Sequence, residues 1–410
     1  MEHGRFYKQI YPLYRKTGSR YDAPSSYSLL YNLVRQNVFI LGATGNVGRE
    51  LIKQIAEQDV PELKRHKNPT VVVGLADSQH IAISTGGFSQ EFLQRFASTK
   101  QRVGEVMGAE KHGPEGINIL QTMEGTGYGE DLVYVDATGE KETARNLHLD
   151  IIRHTKSQIA TANKNPVGLY DYDTYKELTK DPTRYQYSAT AMAGLGAVPW
   201  LSERNTIGDR IHRIDASLSG TLGFITDAMS RGMKLSDAIM EAKKRGYTEP
   251  DFRDDLNGID VARKLTILAR EAGFPIGYND ISITPFLPED YFMIADPQDC
   301  LDQIRENLDE FYDMNAKSTL ESHSQTYRYL ASLKWCDNNH KPELKVGTEA
   351  VSLESPFARL RGTDNFIQVV TDMYTEAKPY RLQGPGAGLD ITASVLRRDL
   401  LRLQSSIARF

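Results

Sequence analysis

Asp260 and Lys264 stand four positions apart in the stretch GYTEPDFRDDLNGIDVARKLTILAREAG. That spacing puts both on the same side of a helix. With Val261, Leu265 and Leu268 as the apolar stripe, Lys264 lies at its edge and Asp260 slightly further round. Arg263 and Arg270 fall opposite, where solvated charges belong. A lysine drawn to an apolar edge beside an aspartate is a candidate catalytic pair. The plainer alternative is a helix salt bridge worth roughly 0.3–0.5 kcal/mol. Spacing alone favours the plainer alternative, so the surrounding elements must decide. The first half of the stretch packs four carboxylates and Tyr247 between glycines and a proline.

A second candidate is NVFILGATGNVGRELIKQIAEQ. Asn37 to Leu41 reads as a buried strand, and Val47, Leu51, Ile52 and Ile55 recur at helical spacing after it. Between them lie Gly42, Gly45 and Gly48. Strand, glycine turn and helix together predict a dinucleotide loop, with a pyrophosphate at the positive end of the helix. Gly42, Thr44, Gly45, Asn46, Val47 and Gly48 are the candidate contacts. The spacing is Gly-x-x-Gly-x-x-Gly, one residue longer than the commoner loop. Asp77 follows the next strand, Thr70 to Leu75, and reads equally as a ribose ligand, favouring NAD, or as a turn aspartate. His80 is the nearby cation that would suit NADP.

Further strands are expected at Asp131 to Asp136 and Gln158 to Ala162, with a helix from about Glu140. This alternation predicts an α/β fold with a doubly wound parallel sheet. Ligands collect outside the carboxyl ends of such strands. Thr138, after Asp136, and Lys164, in TANKNPVG, occupy those ends. Lys164 is placed to meet an anionic group or a reacting oxygen; otherwise it is an exposed loop lysine. After Asp181-Pro182 the pattern changes, and Tyr185 to Thr190 reads as a strand. Ser236 is expected to cap a helix that Gly246 ends. Beyond Ile281, YRYLASLKW, LKVGTEAVSL and FIQVVTDMY alternate apolar and polar residues, as a half-solvated antiparallel sheet does. GPGAG then opens a last helix from Thr392 to about Leu403.

The chain has 410 residues, of which 40% are hydrophobic and 25% charged. Such a composition suits a globular protein with a sizeable core. A formal net charge of −5 argues against nucleic acid as the main partner. No apolar run has membrane-spanning length, and MEHGRFYKQIYPLYRK lacks a secretory signal. Two cysteines, Cys300 and Cys336, build neither a disulfide framework nor a metal cluster, which suits a reducing cytoplasm. Residues 1–36 form a tyrosine-rich basic extension, expected to pack on the body or on a partner subunit.

GYTEPDFRDDLNGIDVARK resembles the signature of the homoserine dehydrogenase family around its catalytic lysine. TANK, SGTLGFI, SPFARLRGTDN and GPGAG…TAS…RDLL match in the family's order. The resemblance implies reversible oxidation of L-homoserine to L-aspartate 4-semialdehyde with NAD or NADP, on the route to threonine and methionine. It implies a Rossmann-type domain, residues 37–184 completed by 384–410, and an α+β substrate-binding and dimerisation domain, residues 185–383. A homodimer or higher homo-oligomer is expected. By motif, Lys264 resembles the proton-transfer residue, with Asp260 beside it and Lys164 also in the site. Glu249 and Asp255 resemble ligands of the substrate amino group, and Thr221 and Tyr247 part of its pocket. Gly386 of GPGAG is counted among the cofactor contacts.

Three departures stand out. The first glycine loop is longer, which leaves cofactor preference open. Ser188 stands where relatives often carry a glutamate that helps hold a monovalent cation, so a sodium or potassium site is left open. No aspartate kinase segment precedes the matched region and no regulatory segment follows it, so a monofunctional form without threonine feedback through such a segment is expected. Two alternatives are weighed against this reading. Aspartate-semialdehyde dehydrogenase needs an activated thiolate, and neither cysteine looks activated. A catalytically divergent dinucleotide-binding regulator predicts a degraded constellation, yet Glu249, Asp255, Asp260, Lys264 and Lys164 are all present.

Overall fold

The structure is a computed structural model, and it describes residues 36–58, 70–111, 117–124, 128, 132–336 and 340–407. Two sheets organise them. The first has the order β4-β3-β2-β1-β5-β6-β7. Its strands are β1 (Gln36–Leu41), β2 (Thr70–Ala76), β3 (His80–Ile83), β4 (Glu110–Lys111), β5 (Leu132–Asp136), β6 (Gln158–Thr161) and β7 (Tyr185–Gln186). The pairs from β2 through β1, β5, β6 and β7 are parallel, and β3 and β4 add an antiparallel edge. Val38, Phe39 and Ile40 are fully buried because helices cover both faces of a parallel sheet. Helices α1 (Asn46–Gln58), α2 (Gln90–Ser98), α3 (Ile117–Glu124), α4 (Glu142–His154) and α5 (Tyr172–Thr179) belong to this half.

The second half begins with α6 (Ala197–Thr206), β8 (Ile211–Ser217), α7 (Gly220–Ser230), α8 (Leu235–Lys244) and α9 (Ile259–Glu271). It continues with β9 (Ser282–Ile283), α10 (Pro297–Asn307), α11 (Asp309–His323), β10 (Gln325–Cys336), β11 (Lys341–Ser352), β12 (Asp364–Thr371) and β13 (Tyr380–Pro385). Its sheet runs β13-β12-β8-β10-β11-β9, antiparallel except for the β11–β9 pair. The last helix, α12 (Leu389–Ile407), returns to the first sheet. There Gln36 Nε2 donates to Leu400 O at 2.8 Å and Gln54 Nε2 to Asp390 O at 3.0 Å.

Several expectations need correction. The strand at Tyr185 stops at Gln186, because the chain turns through a Thr190 N to Tyr187 O hydrogen bond and then through Met192 at φ 48°. Ser236 does not cap α8. It lies inside the helix, and its amide and hydroxyl bind the buried Asp309 carboxylate at 2.8 and 2.7 Å. The tyrosine-rich extension, but for Gln36, lies outside the described residues.

Candidate active site

Lys164 follows β6, and Asp260 and Lys264 sit in the first half of α9. What joins them is a close approach of two backbones. A Cβ on Gly168 would stand 3.0 Å from Arg263 O, so its absence lets the turn 165–168 press against α9. Asn163 and Asn165 flank Lys164 and tie this loop to the end of β5. Asn163 Nδ2 donates to Glu140 O at 2.8 Å, and Asn165 Nδ2 to Gly139 O at 3.0 Å.

Lys164 Nζ donates to Asp260 Oδ1 at 2.6 Å, and Lys264 Nζ meets Asp260 Oδ2 at 2.8 Å. Lys264 Nζ also donates to Leu218 O at 2.8 Å. One carboxylate therefore bridges two ammonium groups. Burial by itself would raise the Asp260 pKa, but Lys264 and Lys164 outweigh it and hold the group well below the usual carboxylate range. The Lys264 side chain is 15% exposed and that of Asp260 41%, so the bridge faces open space. The plain i,i+4 salt bridge is present, but it is half of a larger arrangement.

A second cluster lies alongside. The Thr221 hydroxyl, in the first turn of α7, is 2.5 Å from Tyr247 O and 3.0 Å from Asp255 Oδ1. Asp255 Oδ2 accepts from the Glu249 amide at 2.8 Å. Burial pushes the Asp255 carboxyl upward, and the charges of Glu249 and Asp260 add to it. The Glu249 side chain is exposed; Tyr247 is 38% exposed and packs edge-on against Phe224. The chain enters α9 at Gly258, and Asn257 Oδ1 accepts from the Ile259 amide at 2.8 Å.

The glycine loop opens onto a cleft of ≈ 460 Å³ at the carboxyl ends of β1, β2 and β5. Gly42, Thr44, Gly45, Asp77 and Thr138 line it. Gly42 adopts φ +74°, and a Cβ there would stand 2.8 Å from Ala137 O. A Cβ on Gly48 would stand 2.2 Å from Gly42 O, so this glycine closes the turn onto α1. Gly45 is exposed at the mouth, ahead of α1 and its positive end. Asn46 and Val47 begin that helix. The set fits a dinucleotide phosphate: a wall stripped of Cβ atoms, a helix start, and room beside it. Thr138 is fixed by Asp136 Oδ1, which accepts from its amide at 2.8 Å and its hydroxyl at 2.7 Å. Behind it Asp136 Oδ2 lies 3.2 Å from His148 Nε2, and His148 Nδ1 is 2.9 Å from the Tyr185 hydroxyl.

Three expected residues are engaged differently. The Asp77 carboxylate accepts from the amides of Gln79 and His80, both at 2.9 Å, and of Val103 at 3.1 Å. Burial opposes its ionisation, but these amides and His80 hold its pKa below the usual value. It thus serves its own turn while lining the cleft. Gly386 does not line the cleft; a Cβ there would stand 2.1 Å from Asn365 Oδ1, and Asn365 Nδ2 donates to Ser217 O at 2.7 Å. Ser188 is buried, with its amide 2.9 Å from Asp399 Oδ2 and its hydroxyl 3.3 Å from Arg402 Nη1. Burial raises the Cys300 thiol pKa, which leaves that cysteine a poor nucleophile. Sequence reasoning missed the Leu218 carbonyl and the bracing by Asn165. The polar TANKN run signals the asparagine, whereas a backbone carbonyl leaves no signal.

The sheet order, glycine loop and cleft define a Rossmann-type α/β protein with an appended second sheet. The model of the homoserine dehydrogenase family matches residues 199–401. The homoserine dehydrogenase of Emericella nidulans is 33% identical over 283 residues, covering 66% of this chain and 75% of that one. The chain belongs to the homoserine dehydrogenase family. A chloroplastic bifunctional aspartokinase/homoserine dehydrogenase of Daucus carota is 32% identical over 368 residues, covering 88% of this chain. This chain spans only 38% of that relative's length. Among solved structures, a Candida auris protein of unknown function has a TM-score of 0.77 at 27% identity, covering 91% of this chain and 99% of that one. A hyperthermophilic archaeal homoserine dehydrogenase in complex with NADPH has a TM-score of 0.66 at 23% identity, covering 92% and 98%. That likeness shows the fold. Among the described residues no helix is long and apolar enough to cross a membrane.

Proposed function

We propose that this protein interconverts L-homoserine and L-aspartate 4-semialdehyde with a nicotinamide dinucleotide, NAD or NADP. The observation that carries this reading is the single carboxylate, Asp260, bridging Lys164 and Lys264 beside a dinucleotide cleft. Gly42, Thr44, Gly45, Asn46, Val47, Gly48 and Thr138 would hold the dinucleotide, which supplies the hydride acceptor. Lys264 takes the proton of the substrate hydroxyl as the carbinol carbon is oxidised, and returns it in reverse. Asp260 favours charged lysines, so it is a positioning residue that fixes both ammonium groups. Lys164 stabilises negative charge on the reacting oxygen. The substrate is a zwitterion, and its ammonium goes to Glu249 and Asp255. Thr221 holds Asp255 and the Tyr247 carbonyl in register, and Tyr247 forms the pocket wall. A monovalent cation would need oxygen ligands at the Ser188 turn, where Asp399 is the carboxylate at hand and Arg402 competes for it. The second sheet serves a homodimer.

The test is to mix purified protein with L-homoserine and each cofactor in turn, following nicotinamide absorbance. Turnover with at least one cofactor supports the reading and ranks NAD against NADP. Silence with both favours the divergent dinucleotide-binding alternative. Sedimentation of the same sample reads the oligomer.

A further inference from the structure

Lys264 Nζ has two fixed partners, Leu218 O and Asp260 Oδ2, each at 2.8 Å. A neutral lysine amine carries two N–H groups and one lone pair. With both N–H groups held, one direction is left for the lone pair, so the Leu218 carbonyl helps decide where the proton acceptor points. That carbonyl lies in the turn between β8 and α7. Ser217, the last residue of β8, pairs with Phe366 at the end of the β8–β12 ladder. One residue before Phe366 a side chain takes over from the backbone: Asn365 Nδ2 donates to Ser217 O at 2.7 Å, and both residues are buried. The chain leading to Asn365 is pressed on the start of α7. A Cβ on Gly220 would stand 3.2 Å from Thr363 O, and one on Gly223 3.5 Å from Gly362 O. Asp227, buried in α7, anchors this chain, accepting from the Gly362 amide at 3.2 Å and from Arg361 Nη1 at 3.1 Å. From the other side Gly386 leaves the room that the Asn365 side chain fills. The segments SGTLGFI, SPFARLRGTDN and GPGAG therefore meet around one amide, one residue away from the carbonyl that holds Lys264.

We propose that Asn365 is a positioning residue of the active site: its amide fixes the turn from Ser217 to Thr221, and the Leu218 carbonyl in that turn aims the Lys264 nitrogen at the substrate hydroxyl. The inference rests on the proposed reaction and on Lys264 as its proton carrier. An asparagine that only ended a strand would act on folding alone. Asn365 acts on the reacting nitrogen through the backbone of one turn, and a displacement of about 1 Å there can cost about 10²-fold in rate. The same turn carries Thr221, whose hydroxyl meets Asp255. Gly386 serves the site at one remove, by leaving space for Asn365 rather than by touching the dinucleotide.

The experiment compares the full chain with Asn365→Ala, Gly386→Ala, Lys264→Ala and Asn365→Ala in the Lys264→Ala background, each below its melting midpoint. It reads the single-turnover rate at saturating homoserine, the KM, and nucleotide affinity by fluorescence titration with whichever of NADH and NADPH the parent binds. Asn365→Ala is expected to lower the rate about 10- to 10²-fold, with KM and nucleotide affinity within about threefold of the parent. Gly386→Ala, which crowds the same side chain, is expected to do likewise. In the Lys264→Ala background Asn365→Ala is expected to change the residual rate by less than about twofold, because the group it positions is gone. An equal fall in both backgrounds overturns the proposal, and so does an unchanged rate in Asn365→Ala. Loss of nucleotide binding in both Asn365→Ala and Gly386→Ala overturns it too, making Asn365 a residue of the fold alone. Gly386→Ala with weakened nucleotide affinity and a full rate would place that glycine on the cofactor and overturns it as well. A parent silent with homoserine overturns the proposed reaction and this inference together, whereas the other contrary results, in an active parent, overturn this inference alone.

Discussion

Helix α9 carries a carboxylate at each end, and the two live in opposite environments. Asp260, in the first turn of the helix, is part exposed and holds two ammonium groups. Glu271 closes it, is buried, and meets only hydroxyls among the described residues. Two lysines overcome burial and keep Asp260 ionised, whereas burial pushes the Glu271 pKa upward with only hydroxyl donors to oppose it. One helix thus presents a fixed charge at one end and a demand for charge at the other. Neighbours across the fold set that difference, since both residues are ordinary helix positions in sequence.

Breaking the charged end has the largest expected effect. Asp260→Asn leaves Lys164 and Lys264 without their shared anchor, and kcat for homoserine oxidation is expected to fall about 10²-fold through misplacement. An unchanged kcat would remove the positioning role. Breaking the buried end acts on stability instead. Glu271→Ala removes the acceptor shared by two tyrosine hydroxyls, leaving them only each other at 3.3 Å beside a cavity, at an expected cost of about 1–3 kcal/mol in denaturant unfolding. Turnover at saturating substrate is expected to change by less than about threefold, because the first turn of α9 is untouched.

A third carboxylate sharpens the rule. Asp399 is fully buried against Ser188, and burial pushes its pKa up to about 6 despite Arg398 and Arg402. The native state therefore binds a proton that the unfolded chain has released. Its contribution is present below about pH 4 and is lost as the pH rises through about 6, at most about 3 kcal/mol. Asp399→Asn is expected to flatten the stability profile over that window relative to the parent; parallel profiles would contradict this. The smallest effect belongs to Glu271→Gln. It keeps an acceptor for the tyrosines, so unfolding is expected to shift by less than about 1 kcal/mol.

The glycine loop, the strand before it and the parallel sheet were legible in sequence because each depends on local pattern. Gly42 and Gly48 are needed where the turn closes. Other features depend on contacts that only the fold creates. Gly386 looks like a cofactor glycine in sequence, yet Asn365 needs the space where its Cβ would be. Asp77 reads as a ribose ligand or a turn residue until three amides are found on its oxygens. Lys164 and Asp260 are 96 residues apart, and their contact depends on Gly168 at the crossing of two backbones. The short edge strands β3 and β4, of four and two residues, carry too little pattern to be read.

In the proposed reaction Lys264 moves the hydroxyl proton from within the Asp260 bridge. The most direct test is the single-turnover rate of homoserine oxidation in Lys264→Ala, measured beside the parent with the preferred cofactor and matched melting curves. A loss of about 10²–10⁴-fold with an unchanged melt is expected. Turnover within a few-fold of the parent would contradict it.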